Sequence, residues 1–331
     1  GKGVPFKLEP MVAKYHVIMS PPSLSDAMSD DQRLLEVLHT VYGQKANAIA
    51  LPTLQKLPTA LRSGGWDITV TIRHGAEAEV IDVEPGYNED VHGIAVDIGT
   101  TTVVAYLVNL STGEVKAIES TTNPQVAYGD DVMARISHTV DEKAGPRRMR
   151  HAIVNGLNQL IGKACTRSGL APEQVADMCV VGNTAMHHLF LGIEAQFLAK
   201  SPFPPAVNSP CDFRARDLGL RINPAANVHL LPNVAGFVGA DCVADVIATG
   251  IYDQKELTLL IDIGTNGELV LGNQSLGLVA CSAAAGPAFE GAHIQYGMRA
   301  ASGAIEHVHI DPATYEVTCQ VIGGAPARGI C

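Results

Sequence analysis

The tetrapeptide Asp-Ile-Gly-Thr occurs twice in this chain, at Asp97–Thr100 and at Asp262–Thr265. Each copy follows an apolar run of β type, Gly93–Val96 and Leu257–Ile261, and each is followed by another, Val103–Val108 and Leu269–Leu271. A strand that ends in a carboxylate, turns on Gly-Thr and returns as a strand makes a hairpin suited to polyphosphate. Glycine lets the backbone approach closely, and the N–H groups of the turn can point at anionic oxygens. The carboxylate can hold Mg²⁺ directly or through its waters. Two such hairpins facing each other imply a nucleotide clamped between two related lobes.

The sequence between and around the copies supports a duplication. From residue 91 the pattern reads strand triplet, helix, strand, helix, strand, helix, a mixed α/β order with a hairpin edge. The triplet continues past Ser111-Thr112-Gly113 into Glu114–Glu119. Helices are expected near Asp130–Thr139 and Arg147–Ser168, and a strand at Met178–Val181 leads into a helix ending near Leu191. Ser201–Pro210 reads as a loop, Val228–Leu231 as a strand and Gly236–Gly250 as a helix of small residues. After Asp262 the triplet begins again, at a separation far beyond a solenoid repeat. The second copy stops at Cys331 after about half the pattern of the first, so the chain is expected to be a fragment of a longer protein. Its start at Gly1, without Met, points the same way.

Residues 1–90 differ from the rest and are expected to form a small α+β domain. Ser29 should cap an amphipathic run through Leu34, Leu35, Val37, Leu38 and Val41. A short helix around Leu54–Leu61 contains Pro58, which should end or kink it. Trp66–Ile72 alternates like a half-buried strand, and Pro85-Gly86 marks a boundary. The expected division is therefore 1–90, a small α+β domain; 91–250, a first lobe with its connecting helix; and 251–331, the start of a second lobe.

Composition removes several classes of partner. A net charge of −11 argues against nucleic acid, which favours a basic face, and a single Trp leaves little for base stacking. No stretch has the apolar length of a membrane span. The seven cysteines are scattered, without a CxxC pair, which fits a reducing cytoplasm and no iron–sulfur or zinc-ribbon spacing.

Several residues carry two readings. Asp97 alone would be an ordinary turn acid; paired with Asp262 in the same context, both become candidates for phosphate or Mg²⁺ binding, and Asp97 is, with Asp241, a candidate catalytic residue. Gly99, Thr100 and Thr101 are expected at the phosphates, with Gly264, Thr265 and Asn266 as their counterparts, and Thr102 as strand. Asp241 opens a helix, where it either polarises an attacking water, as in-line phosphoryl transfer needs, or stabilises the helix N-terminus. Glu268 is equally ambiguous, and Asp130 with Asp131 reads as a helix cap. Asn183 is a cap or a rim residue of the cleft. His187-His188 is assigned to structure or partner contact, since adjacent helical positions diverge by roughly 100°. Gly286, Glu290 and Gly291 would border the nucleotide from the second lobe.

The order of these elements resembles the acetate kinase, sugar kinase, Hsp70 and actin superfamily, whose two ribonuclease-H-like domains each provide a phosphate hairpin. Gly239–Gly250 resembles its connecting helix and Gly286–Gly291 its glycine-rich turn. A closer resemblance is to the reductive activators of corrinoid proteins, of the RACo and RamA type. It is carried by Val96–Thr102, Asn123-Pro124-Gln125, Tyr128–Val132, Val181–His188, Leu231-Pro232-Asn233, Gly236–Asp241, Asp262–Glu268, Ala284–Ala292, Gly297–Ala300 and Gly303–Glu306. The opening 90 residues resemble that family's middle domain. The resemblance implies ATP and Mg²⁺, a corrinoid protein as partner, a ferredoxin-like reductant and a possible homodimer. It implies reduction of Co(II) to Co(I) driven by ATP-linked lobe closure. A [2Fe–2S] or other iron–sulfur cluster is expected only in parts of the full-length protein outside this chain. Two alternatives share the scaffold: a small-molecule kinase, and a non-catalytic, nucleotide-gated interaction protein.

Overall fold

The computed structural model describes residues 7–75, 77–142, 144–264, 266–284, 296–298 and 302–330. Those up to Val243 form one compact unit, and those from Ala244 form another.

The first unit opens with β1 (Val12–Ile18), α1 (Asp30–Thr40), β2 (Ala48–Ile49), α2 (Leu51–Ser63), β3 (Asp67–Arg73) and β4 (Glu79–Pro85). The strands form one sheet in the order β1-β3-β4-β2. Ile68, Val70 and Ile72 of β3 face Leu34 and Leu38 of α1 and Leu57 and Leu61 of α2 in one core. Three local expectations change. Ser29 sits at the N-cap of α1, but its side chain makes no cap hydrogen bond; Asp30 and Asp31 place charge in the first turn instead. Strand β3 is buried on both faces: Thr69 and Thr71 are as hidden as their apolar neighbours, and Thr69 Oγ1 donates to the Gly86 carbonyl at 2.7 Å. The alternation survives in chemistry, not in exposure. Helix α2 runs through Pro58 without stopping, with Pro52 in its first turn. Pro58 lies on the exposed face, where the Leu54 carbonyl that lacks its helical donor can be solvated.

The lobe that follows contains β5 (His92–Ile98), β6 (Thr102–Asn109), β7 (Val115–Thr122), α3 (Val132–Asp141), α4 (Gly145–Arg167) and β8 (Val175–Gly182). Next come α5 (Thr184–Leu191), β9 (Cys211–Arg214), α6 (Ala215–Leu218), β10 (Asn227–Leu230) and α7 (Ala240–Thr249). Its sheet order is β7-β6-β5-β8-β10-β9. An antiparallel triplet, β5 to β7, is extended by β8 and β10, each parallel to its neighbour. This is the ribonuclease-H-like arrangement. Met149, Ile153, Leu157, Leu160 and Ile161 of α4 join Val96, Ile98, Val103 and Leu107 in its core.

Pro85-Gly86 marks the change from one sheet to the next, yet both sheets belong to the same compact unit. A small apolar cluster of Val12, Ile81, Val91, Ala176 and Ala225 joins them, with an ion pair between Arg214 and Glu79 and a 3.1 Å hydrogen bond from Asn223 to Asp82.

The second unit repeats the antiparallel triplet as β11 (Thr258–Ile263), β12 (Asn266–Asn273) and β13 (Gly277–Ala284). Three further strands, β14 (Ala304–Ile310), β15 (Val317–Val321) and β16 (Gly329–Ile330), form a separate sheet in the order β15-β14-β16.

Pro58 denies α2 one hydrogen bond on its exposed face. Pro58→Ala is expected to stabilise the chain by about 1–3 kcal/mol, the interior cost of proline less its effect on the unfolded chain. Urea unfolding would measure this, and an unchanged or lower midpoint would refute the account.

Candidate functional site

Three parallel strands end on one edge of the six-stranded sheet. Asp97 lies beside Val181 and Ile98 beside Gly182, while Leu230 at the end of β10 pairs with Val180. In open α/β sheets this carboxyl end is where ligands collect. Asp97 therefore stands at the mouth of the sheet, and the turn that follows it closes the pair Ile98/Val103. Gly99 is required there by contact: a Cβ would lie 2.6 Å from the Thr102 carbonyl oxygen.

The turn is held from behind. Asn123 Nδ2 donates to the Gly99 carbonyl at 2.8 Å, and its backbone N–H donates to the Thr101 carbonyl at 2.8 Å. Arg135 Nη2 donates to the Thr100 carbonyl at 2.5 Å. In a trans peptide the N–H points opposite to the preceding C=O. Fixing these carbonyls inward thus turns the following N–H groups away from Asn123 and Arg135. Among the described residues, those of Thr100 and Thr101 find no protein acceptor. A run of such groups makes an anion-binding concavity.

Asn183 is a helix cap that also reaches the turn. Its Oδ1 accepts the Met186 N–H at 3.0 Å, capping α5, and its Nδ2 donates to Thr100 Oγ1 at 2.9 Å. The Thr100 hydroxyl keeps its own proton for another acceptor. Thr184 Oγ1 donates to the Ala235 carbonyl at 2.7 Å. Gly239 presses on the same helix start: a Cβ there would lie 2.5 Å from Asn183 Cα. Contacts thus run from the turn through Asn183 to the segment that begins α7, where Asp241 occupies the first turn. The Asp241 carboxylate accepts the Cys242 N–H at 2.8 Å, as a first-turn acid does.

The second hairpin is described by itself. Asp262 pairs across the ladder with Glu268, and Ile263 with Gly267. Gly264 N–H donates to the Asn266 carbonyl at 3.1 Å, so this turn is one residue tighter than the first. The register decides what faces each acid: Val104 is opposite Asp97, but Glu268 is opposite Asp262. Glu268 is 4 % exposed and accepts Ser282 Oγ at 3.1 Å. Two acids on one face suit a cation more than a bare phosphate. Gly264 is less constrained than Gly99, since the nearest atom to its Cβ would be 3.4 Å away. Thr265, Gly286, Glu290 and Gly291 lie outside the described residues.

Asn123 and Arg135 were not among the residues expected at the site. Asn123 lay in the string Asn123-Pro124-Gln125 without a role. Arg135 was detectable as a cation on the inward stripe Val132, Arg135, Ile136 and Thr139 of α3. Asp131 does cap α3, accepting the Ala134 N–H at 2.7 Å. Among the described residues no group of three or more His, Cys, Asp or Glu side chains is placed to hold a metal ion. Mg²⁺ commonly binds through one or two carboxylates and takes its remaining oxygens from phosphates and water. Asp97, beside a turn whose N–H groups are left open among the described residues, fits that donor set.

Comparison with known proteins agrees with this geometry along nearly the whole chain. Residues 2–90 match the RACo linker region, 92–254 the RACo middle region, and 256–331 the C-terminal domain of RACo, the ASKHA domain. The opening segment is thus the family's linker, not its middle domain. A corrinoid activation enzyme, RamQ, of Eubacterium limosum is 35% identical over 76% of this chain and 42% of its own length. A [Co(II) methylated amine-specific corrinoid protein] reductase of Methanosarcina barkeri is 28% identical over 65% of this chain and 40% of its own. The solved structure of a reductive activator for corrinoid, iron-sulfur protein matches with a TM-score of 0.85 and 37% identity, covering 98% of this chain and 52% of the other. The chain spans about half the length of that structure and somewhat less of the curated relatives. Among the described residues no helix is long and apolar enough to cross a membrane.

The histidine pair belongs to the core. His188 Nδ1 meets the Thr184 carbonyl at 2.7 Å and its Nε2 accepts the Ala206 N–H at 2.9 Å. His187 is 4 % exposed with neither ring nitrogen hydrogen-bonded. Burial, with His188 adding to it, pushes the His187 pKa down from 6.5 to about 4. The folded state therefore holds it neutral while the unfolded chain protonates below pH 6.5. Its contribution is intact above that pH and is lost as pH falls toward 4, by up to about 3 kcal/mol. In His187→Leu the fall in unfolding free energy between pH 7 and 4.5 should shrink accordingly; an unaltered pH slope in urea titrations would disprove this.

Proposed function

The chain belongs to the family of reductive activators of corrinoid proteins, and from that premise we propose that it supplies the ATP-binding and ATP-hydrolysing part of such an activator. The partner is a corrinoid protein whose cobalt has fallen to Co(II). One electron from a low-potential, ferredoxin-like iron–sulfur donor returns it to Co(I). The observation that carries the reading is the Gly99–Thr101 turn, with its carbonyls bound inward at the carboxyl end of three parallel strands. That arrangement offers N–H groups and the Thr100 hydroxyl to a polyphosphate.

In this reading Gly99, Thr100, Thr101 and Asn183 bind and orient the phosphates. Asp97 and Asp262 hold Mg²⁺, which supplies neutralisation of phosphate charge. Asp241 orients the water for attack on the γ-phosphate, giving ADP and phosphate. Gly264, Thr265 and Asn266 are the counterpart of the first turn, and Gly286, Glu290 and Gly291 border the nucleotide. ATP shifts the docking of the corrinoid partner only by binding two conformations with different affinities. We place this chemistry in the cytoplasm, where the six cysteines found free among the described residues would stay reduced. A homodimer is the assembly we expect.

Calorimetric titration of this chain with Mg-ATP should give saturable binding that Asp97→Ala weakens at least about tenfold, the worth of one charge-assisted contact. Asp262→Ala should remove the Mg²⁺-dependent share. Mixed with a Co(II) corrinoid protein and a strong reductant, the full-length protein should yield Co(I) in the visible spectrum only with ATP. Phosphorylation of a small acceptor instead would establish a kinase, and Mg-ATP binding without turnover a nucleotide-gated adaptor.

A further inference from the structure

Arg135 is the largest fully buried side chain described in the molecule, at 0 % exposure. Each of its three nitrogens has a hydrogen-bond partner. Nε meets the Gly129 carbonyl at 2.9 Å, Nη2 meets the Thr100 carbonyl at 2.5 Å, and Nη1 faces the sulfur of Met186 at 3.1 Å. A thioether is a weak acceptor and carries no charge. Among the described residues no carboxylate lies within ion-pair distance of the guanidinium. Asp131 and Asp130, the nearest acids in effect, act only from further off, and Asp131 is engaged at the start of α3. Burial brings the guanidinium down to about 10, so it remains a cation near neutrality.

A buried cation without a partner is costly, several kcal/mol even after relaxation. Arg135 ties back two carbonyls, of Gly129 and Thr100, but holding the turn needs only the second, which a neutral amide could do, as Asn123 does at Gly99. What charge adds is polarisation. The guanidinium sits on the oxygen of the Thr100–Thr101 peptide, whose N–H emerges on the opposite side. Withdrawing electron density through that peptide makes the Thr101 N–H a stronger donor, and the cation adds its field in a low-dielectric setting.

We propose that Arg135 is a positioning residue of the phosphate turn, a buried cation whose missing counter-charge is the polyphosphate bound on the other side of the Thr100–Thr101 peptide. This rests on the reading of the turn as a phosphate site. Arg135 touches the backbone of the turn and not the ligand. It fixes the direction of the turn and sets its affinity for charge. Met186 keeps Nη1 from being neutralised internally, where a carboxylate of similar length would make an ion pair.

The test uses two substitutions with opposite structural consequences. Arg135→Met removes the cation. Met186→Glu retains it and cancels its charge with a buried partner, a change that satisfies Nη1 better than sulfur does. Binding of ATP, ADP and AMP, each with Mg²⁺, would be measured by calorimetry on wild type and both variants, with thermal unfolding as the check on folding. Both variants should bind ATP about tenfold to a hundredfold more weakly, the range for hydrogen bonds to charged groups. The loss should be largest for ATP, smaller for ADP and least for AMP, because it scales with phosphate charge. Arg135→Lys should recover part of it. A packing role alone would lower thermal stability in Arg135→Met and leave the affinity ratio among the three nucleotides unchanged. Should Arg135→Met not fold, Met186→Glu decides: wild-type ATP affinity in that folded variant overturns the proposal. Failure of the wild-type chain to bind any of the three would instead overturn the phosphate site itself.

Discussion

The site depends on where three backbone carbonyls go. A tight turn between two strands leaves several peptide groups outside the ladder, and each must find a partner. At Gly99, Thr100 and Thr101 the carbonyls are claimed by two residues from later in the chain, Asn123 and Arg135. Once they are claimed, the planarity of the peptide leaves no freedom over the N–H direction. The anion-binding face is therefore built by what lies behind the turn. Asn123 is fixed by the 3₁₀ turn it caps, accepting the Gln125 N–H at 2.9 Å, and Arg135 by the helix whose inward stripe it shares with Ile136. The packing of that inward face and the direction of the open N–H groups are one constraint.

The two hairpins show how little of this the shared tetrapeptide determines. Both place an acid at a strand end and glycine in the turn. One residue of difference in turn length then puts Val104 opposite the first acid and Glu268 opposite the second. In a ladder, directly opposed residues share a face, so the change alters the chemistry of the face rather than its shape. The first hairpin is an anion-facing turn backed by a cation. The second pairs two carboxyl groups, one of them buried with a serine hydroxyl on it. A one-residue difference in turn length is thus enough to give two hairpins of the same tetrapeptide different side-chain chemistry on the same face.

Much of the architecture was legible because it rests on periodicity and punctuation. The strand triplets, the cap at Asp131 and the strand–Asn183–helix junction follow from alternation, from turn residues and from capping chemistry. Where the reading departed from the structure, tertiary context won. Pro58 was expected to end a helix, yet its exposed face tolerates the lost hydrogen bond. β3 looked half-buried, because alternation of Ile and Val with Thr does not reveal that threonines can be covered. Arg135 was missed because a charged residue in a helix reads as solvated, and only the position of Thr100 in space gives it a partner. The cluster of Val12, Ile81, Val91, Ala176 and Ala225 that packs the opening sheet on the next was not legible, because it draws single residues from distant segments.

A site built this way has an energetic signature of its own. Most of its polar groups are satisfied internally: Thr100 Oγ1 by Asn183, Gly99 and Thr101 carbonyls by Asn123, the helix start by Asn183 Oδ1. These hydrogen bonds hold the turn in its ligand-ready shape, so little ordering remains to oppose binding. Among the described residues the N–H groups of Thr100 and Thr101 stay open, and the guanidinium of Arg135, though hydrogen-bonded, is a charge retained in the interior against its desolvation cost. Replacing it by an apolar side chain would relieve that cost, and pairing it with a carboxylate would offset it. A carboxylate would also cancel the field that reaches the turn. The weakly accepting sulfur of Met186 resolves this conflict, since it fills the space beside Nη1 without neutralising it.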